Sequence, residues 1–359
     1  MAEEFGNLME TLSSKEKGAL KEIYDRKTSE LQELLLEELE RDNEHLELVN
    51  ICYNLFTKTT ELNKKTGYKV VLVDPLFTLG IKIFDLMLLN RKSETAVLIE
   101  AKSSVSERKS GKIIDDTIQA ARSAMSLREK LEEFTGERIT SIEFVVFSFA
   151  YYAEVLKDAI LSKKARICLW RYHVPPGVVQ MVKLGDDVNT ERLSGRMHAD
   201  EKLRQTLLKG VTTPAGALRS LQIMPTSHMF LKLEYIAQQL FIELDKKPRE
   251  KRFFEYSNVY NYCRQAFSST ELDDSQVEKI AKEILESATD VGLCRSINPE
   301  DEFEERDFEI SYGRRNYEKF RDDYTKKRAG EKAFSAAIEE FRGKKGIKHE
   351  GECCIIERR

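Results

Sequence analysis

The sequence predicts an α/β fold, a mixed sheet flanked by helices, followed by a second, mainly α-helical domain. Three observations carry this. Short apolar runs rich in Val, Ile, Leu and Phe recur at 68–77, 81–89, 95–99, 142–150 and 165–173, each bounded by polar clusters, as buried strands are. Between them lie longer segments whose apolar residues repeat at helical spacing. Beyond residue 228 the helical spacing dominates, with only short strand-like runs.

Taken in order, residues 14–65 read as helix, with Leu20, Ile23, Leu31, Leu35, Leu46, Val49 and Phe56 among dense Glu and Lys and a break near Arg41–Asn43 that makes two helices. These form an N-terminal helical segment, 1–66, packing on a core. Tyr68 to Phe77 is a strand that stops at Asp74-Pro75, since proline cannot donate to a ladder. Ile81 to Leu89 and Thr95 to Ile99 form a hairpin around the polar turn Asn90-Arg91-Lys92-Ser93. Residues 103–111 read as a basic-polar loop, 113–134 as a helix stopped by Gly136, 142–150 as a strand, 154–164 as a helix, and 165–173 as a strand ended by Pro175-Pro176. Together 67–184 make the core domain. Residues 185–227, rich in Gly, Pro, Ser and Thr and carrying Arg192, Arg196, Arg204 and Arg219, read as a basic connector. Residues 228–312 hold three helices followed by a Gly-Leu strand and a return strand. Residues 313–359 form a basic tail in which Arg314, Arg315, Lys319 and Arg321 alternate with Tyr317, Phe320 and Tyr324.

The chemistry gathers on the hairpin. Side chains alternate faces along a strand, so Ile81, Ile83, Asp85 and Met87 share one face, and Ala96, Leu98, Glu100 and Lys102 share one face of the second strand. If these coincide, Asp85, Glu100 and Lys102 converge at the end of two apolar strands. Charge in an interior is costly unless it is paired or coordinates a metal. Two carboxylates about 5 Å apart repel unless a cation sits between them, and a sparse set of oxygen ligands suits Mg²⁺, with Mn²⁺ able to substitute.

Asp85, then Glu100-Ala101-Lys102 after a turn, resembles the PD-(D/E)XK nuclease superfamily. Phe84 stands where the proline of that family's name would be. The resemblance implies a restriction-endonuclease-like mixed sheet, metal binding by Asp85, Glu100 and the Ala101 carbonyl, and a Lys102 that orients or deprotonates water. It also implies two further candidates, Glu47 on the N-terminal helix and Gln119 on the helix after the hairpin. Arg108, Lys109, Lys112 and Arg122 are placed to touch DNA phosphates. The pattern of 228–312 is similar to a winged helix.

Charge distributes unevenly. The whole chain of 359 residues carries a net charge of -4, so no global basic field points to nucleic acid. The core, residues 68–184, has eighteen basic against fourteen acidic residues, whereas 228–312 has eleven against nineteen. That acidic balance suits a protein-contacting domain better than a DNA-reading one. The six cysteines and five histidines lack zinc-ligand spacing, which argues against zinc peptidase and deaminase chemistry. No apolar leader or membrane-length run is present, so the expectation is a cytoplasmic protein without a membrane partner. The reading that results is a metal-dependent deoxyribonuclease in restriction or genome defence. Structure-selective repair or recombination and an inactive nuclease fold serving as a DNA-binding or assembly module are the alternatives. Cutting both strands needs two such sites, which makes a homodimer plausible.

Overall fold

The computed structural model describes residues 12–57, 60–75, 79–80, 83–173, 180–184, 200–213, 220–246, 253–311 and 317–344. It is an α/β protein, with a seven-stranded mixed sheet and ten helices among the described residues. The chain divides into two compact units, one comprising residues 41–287 and 296–309, the other residues 1–40, 288–295 and 310–359. The composition boundaries read at 66, 184 and 227 all fall inside the first of these, and the one at 312 inside the second.

The first element, α1 (Ser14–Leu55), is a single unbroken helix, where the sequence suggested a break at 41–43. No proline interrupts it, and the apolar stripe continues through Leu39 and Leu46, both buried. Tertiary burial on both sides outweighs the weak helix preference of Asp42 and Asn43. A short helix, α2 (Glu61–Thr66), ends at Gly67, whose φ of 82° lets its N–H donate to the Asn63 carbonyl.

The large sheet runs β1 (Lys69–Val73), β2 (Leu86–Asn90), β3 (Thr95–Lys102), β4 (Ser141–Phe149), β5 (Cys168–His173), β6 (Gln180–Leu184) and β7 (Val211–Thr213), with neighbours in chain order. The pairs β1–β2 and β2–β3 are antiparallel, β3–β4 and β4–β5 parallel, and β5–β6 and β6–β7 antiparallel. Parallel neighbours need crossovers, supplied by α3 (Glu107–Ser126) and α4 (Arg128–Thr135) between β3 and β4, and by α5 (Ala150–Ser162) between β4 and β5. Met87, Leu89, Ala96, Leu98, Phe144 and Val146 pack on one face with the buried residues of α3 and α5. On the other face Leu86, Leu88, Val97, Ile99, Phe147 and Trp170 pack with Leu46, Val49 and Cys52 of α1 and with Phe56 just after it. Covered on both sides, β2 and β3 read as nearly continuous apolar runs, as two-sided strands must.

Three expectations change here. The segment expected as a loop over 103–111 is one only as far as Ser106, since α3 begins at Glu107 and takes Arg108, Lys109 and Lys112 into its first turns. The helix expected over 113–134 is two, separated at Leu127. The connector 185–227 is partly sheet and helix. Its α6 (Glu201–Lys209) is capped by the Asp200 carboxylate, buries Leu203 and Leu207, and leads into β7. Arg192, Arg196 and Arg219 lie outside the described residues, as do Arg314 and Arg315 of the tail; Arg204 pairs with Glu201 on α6.

From 228 onward come α7 (Met229–Leu244), β8 (Phe253–Glu255), α8 (Tyr256–Ala266), α9 (Asp274–Asp290), β9 (Cys294–Ser296) and β10 (Asp307–Ile310), the strands forming a sheet of order β8-β10-β9. In the other compact unit, α10 (Tyr317–Lys344) lies against α1, burying Leu20, Ile23, Ala337 and Phe341, with Arg26 bridging Glu30 and Glu340. No helix among the described residues is long and apolar enough to cross a membrane.

Candidate active site

An open cleft of about 350 Å³ lies where β3 ends, lined among others by Asp42, His45, Asp74, Asp85, Glu100, Lys102 and Asp116. The register explains how it forms. Leu86 faces Ile99 and Met87 faces Leu98, and Asp85, directly before β2, lies beside the end of β3 where Glu100 and Lys102 stand. The Asp85 N–H donates to the Ile99 carbonyl at 2.8 Å, so Asp85 and Leu86 both stand against Ile99 and the regular register ends at Leu86. The expected convergence of Asp85, Glu100 and Lys102 is therefore present in the geometry.

Each member is held from several sides. The Asp85 carboxylate accepts from the Ala101 N–H at 2.6 Å through one oxygen and meets His45 Nε2 at 3.0 Å through the other. Its carbonyl accepts from the Asp74 N–H at 2.8 Å, and the Asp74 carboxylate in turn accepts from the N–H and hydroxyl of Thr226. Asp74 reaches this position with a φ of 55°, which aspartate tolerates better than most residues. Glu100 is 2% exposed and ion-paired to Lys102 through Oε1, while its Oε2 is buried without a hydrogen-bond partner.

The protonation states follow from burial and charge. Burial penalises the Glu100 carboxylate and the Asp85 charge repels it; together they outweigh the pull of Lys102 and His45 and push Glu100 up to about 8. For His45 burial alone would favour the neutral ring, but the charge and hydrogen bond of Asp85 win and raise it to about 9. Lys102 is likewise drawn down by burial but raised on balance by Glu100 and Asp85. At neutral pH the cleft thus holds a protonated imidazole and ammonium against Asp85, with Glu100 poised near its titration point.

The other candidates lie elsewhere. Glu47 and Gln119 are exposed and do not line the cleft, and the same is true of Arg108, Lys109, Lys112 and Arg122 on α3. On α1 the residues turned into the cleft are Asp42 and His45, one turn apart and so on one helix face. Glu47, two positions beyond His45, is rotated roughly 200° away. Spacing on α1 could have selected the pair, because Leu46, Val49 and Cys52 mark the face that meets the sheet. Asp74, which sequence position alone separates from the hairpin, is brought in by the β1–β2 pairing. Arg171 was not singled out either. By register Ser148 stands between Lys102 and Arg171 across β3, β4 and β5, and the Arg171 Nε is buried without a hydrogen-bond partner.

Comparison of the chain with protein-family models, curated proteins and solved structures gives no match. Among the described residues, no group of three His, Cys, Asp or Glu side chains is arranged so as to hold a metal ion by itself.

Proposed function

We propose that the protein is a metal-dependent deoxyribonuclease with a restriction-endonuclease-like core, and that Asp85, Glu100 and Lys102 form its hydrolytic centre. The observation that carries this reading is the Glu100 carboxylate: buried, within reach of the Asp85 charge, with one oxygen on Lys102 and the other without a hydrogen-bond partner. A buried polar atom without a partner calls for one, and a cation between two carboxylates satisfies it while removing their repulsion. In kind, the donors fit Mg²⁺ or Mn²⁺: Asp85, Glu100 and the Ala101 carbonyl would supply oxygens, leaving the remaining positions to water and substrate. Such an ion, when bound, lowers the pKa of water and offsets charge developing at phosphorus.

The chain's own residues do the rest. Lys102, whose ammonium is held at the cleft by Glu100, is placed to hydrogen-bond an attacking water or a phosphate oxygen, and to hold or release a proton at that oxygen. His45 and the Ala101 N–H fix both oxygens of Asp85, so its orientation is set before substrate arrives. A protonated His45 also offsets negative charge that a phosphodiester brings into a cleft lined by several carboxylates.

The order α7, β8, α8, α9, β9, β10 with sheet order β8-β10-β9 supports a winged-helix-like reading of 228–312. The acidic α9, with Glu278, Glu283 and Glu286, favours a protein-contacting role there. A nuclease core joined to such a domain, with no nucleotide-hydrolysing P-loop in the sequence, suits restriction or genome defence and a cytoplasmic setting. The test is incubation of the purified chain with plasmid, linear duplex, single-stranded and branched DNA in Mg²⁺ or Mn²⁺, beside Asp85→Ala. Cleavage by the wild type and not by the variant supports the reading, and the substrate cut separates restriction from repair. No cleavage of any substrate would turn the assignment toward a binding module.

A further inference from the structure

We propose that Tyr151, backed by Phe149, is a stacking platform for an unpaired base, so that the cleft takes single-stranded DNA in preference to closed duplex. The inference rests on the nuclease reading and names its substrate class. Tyr151 is 66% exposed, the highest value among the large apolar side chains of the described residues. Its ring is nevertheless ordered by neighbours. It lies parallel to Phe149, at 5.3 Å and 7°, and against Tyr152 at 4.4 Å, while Phe149 rests on Tyr172 at 6.0 Å. A solvent-facing aromatic held in place by other aromatics loses little freedom on meeting a ligand. That is what a base-stacking surface requires.

Its position joins it to the cleft. Ser148 pairs with Lys102 across β3 and β4, and its hydroxyl donates to the Lys102 carbonyl at 2.7 Å. Three residues further on, Tyr151 can lie no more than about 11 Å from Ser148 along the chain, so platform and Lys102 are within the span of one short oligonucleotide. On the other side Tyr151 is near enough to Glu44, the neighbour of His45 on α1, for that charge to help raise its hydroxyl pKa after burial and Tyr152 have done so. The cleft is lined by several carboxylates, so the preference is assigned to base stacking and not to backbone charge. The first turn of α5 carries no acidic residue, and Lys102, Ser148 and Arg171 form one cross-strand row. Duplex bases stack on each other and present no face to a side chain, whereas any unpaired base does, whatever its identity.

The experiment uses the full chain with EDTA, so that binding is read without cleavage. Anisotropy of a fluorescein-labelled single-stranded oligonucleotide is compared with that of the same sequence as duplex, for wild type, Tyr151→Ala, Tyr151→Trp and Asp85→Asn. In parallel, 2-aminopurine in the single strand reports stacking. The expected result is tighter wild-type binding to the single strand, a loss of about fivefold to a hundredfold in Tyr151→Ala, retention in Tyr151→Trp, and 2-aminopurine quenching that vanishes only in Tyr151→Ala. Equal affinity for both DNA forms, or single-strand binding unchanged in Tyr151→Ala, overturns the proposal, as does a Tyr151-dependent dimer in sizing chromatography without a DNA effect. The two readings fail separately. Tyr151-dependent binding with no cleavage in Mg²⁺ leaves the platform and removes the nuclease, while Asp85-dependent cleavage with no Tyr151 effect does the reverse.

Discussion

Replacing Glu100 with Gln removes an ionisation that the fold opposes, and the consequence can be worked from the site. The Glu100 carboxyl is raised from an ordinary 4.5 to about 8 by burial and by Asp85. A folded state that holds its proton more tightly than the unfolded chain has that stability in full below about 4.5 and loses it as pH rises through about 8. The gap corresponds to roughly 5 kcal/mol at about 1.4 kcal/mol per pH unit. Local relaxation and water penetration at so buried a group reduce what is observed to about 2–4 kcal/mol. His45 acts in the same direction, its stabilisation by Asp85 being full below 6.5 and lost as pH rises through about 9. Urea unfolding of the wild type in EDTA between pH 5 and 9 should therefore show falling stability, most steeply around neutral pH, where both groups are protonated folded and largely deprotonated unfolded, and levelling above about pH 9. Glu100→Gln should keep only the shallower dependence from His45. Mg²⁺ should restore the wild type most at high pH, where the carboxylate is ionised, and should do so poorly in the variant. A wild-type stability that is flat or rising across this range, or an equal slope in Glu100→Gln, would refute the reasoning.

Other perturbations test neighbouring parts of the account. His45→Ala removes one of the two hydrogen bonds that orient Asp85, and should lower the cleavage rate about 10- to 100-fold while shifting DNA affinity little; unchanged single-turnover rates would assign His45 a packing role. Asn50 holds both the N–H and the carbonyl of Leu221, so Asn50→Leu, which leaves these buried groups unpaired, should cost about 2–4 kcal/mol in urea unfolding. Trp170 is fully buried between Phe56 and Phe147, and Trp170→Ala should cost about 3–5 kcal/mol. A cost under 1 kcal/mol would mean that this face of the sheet is not a core.

Much of the site was readable because it is local. Glu100 and Lys102 sit on β3 and Asp85 directly before β2, two strands joined by a four-residue turn, so the hairpin alone brings the three to one end. The strongly apolar runs place β3, β4 and β5 to within a few residues, because the buried centre of each is a continuous apolar run. What sequence could not place depends on contacts distant along the chain. His45 joins the site only once α1 packs across the sheet, 40 residues from its partner, and Thr226 reaches Asp74 over 152. β7 is a three-residue strand of Val and Thr whose only cue is a neighbouring ladder. The uninterrupted α1 was obscured by Asp42 and Asn43, which favour caps and turns locally; the apolar contacts on either side override them.

The most direct test of the central claim is single-turnover cleavage at saturating DNA in Mg²⁺, with affinity measured separately in EDTA, for wild type, Asp85→Asn and Lys102→Met. Asp85→Asn keeps an acceptor for the Ala101 N–H, so folding is preserved while the charge is lost. Rates reduced about 10²- to 10⁴-fold are expected in both variants, with DNA affinity within about tenfold of wild type. Rates equal to wild type in both would show that Asp85 and Lys102 take no part in hydrolysis and that the cleft at the end of β3 is not the active site.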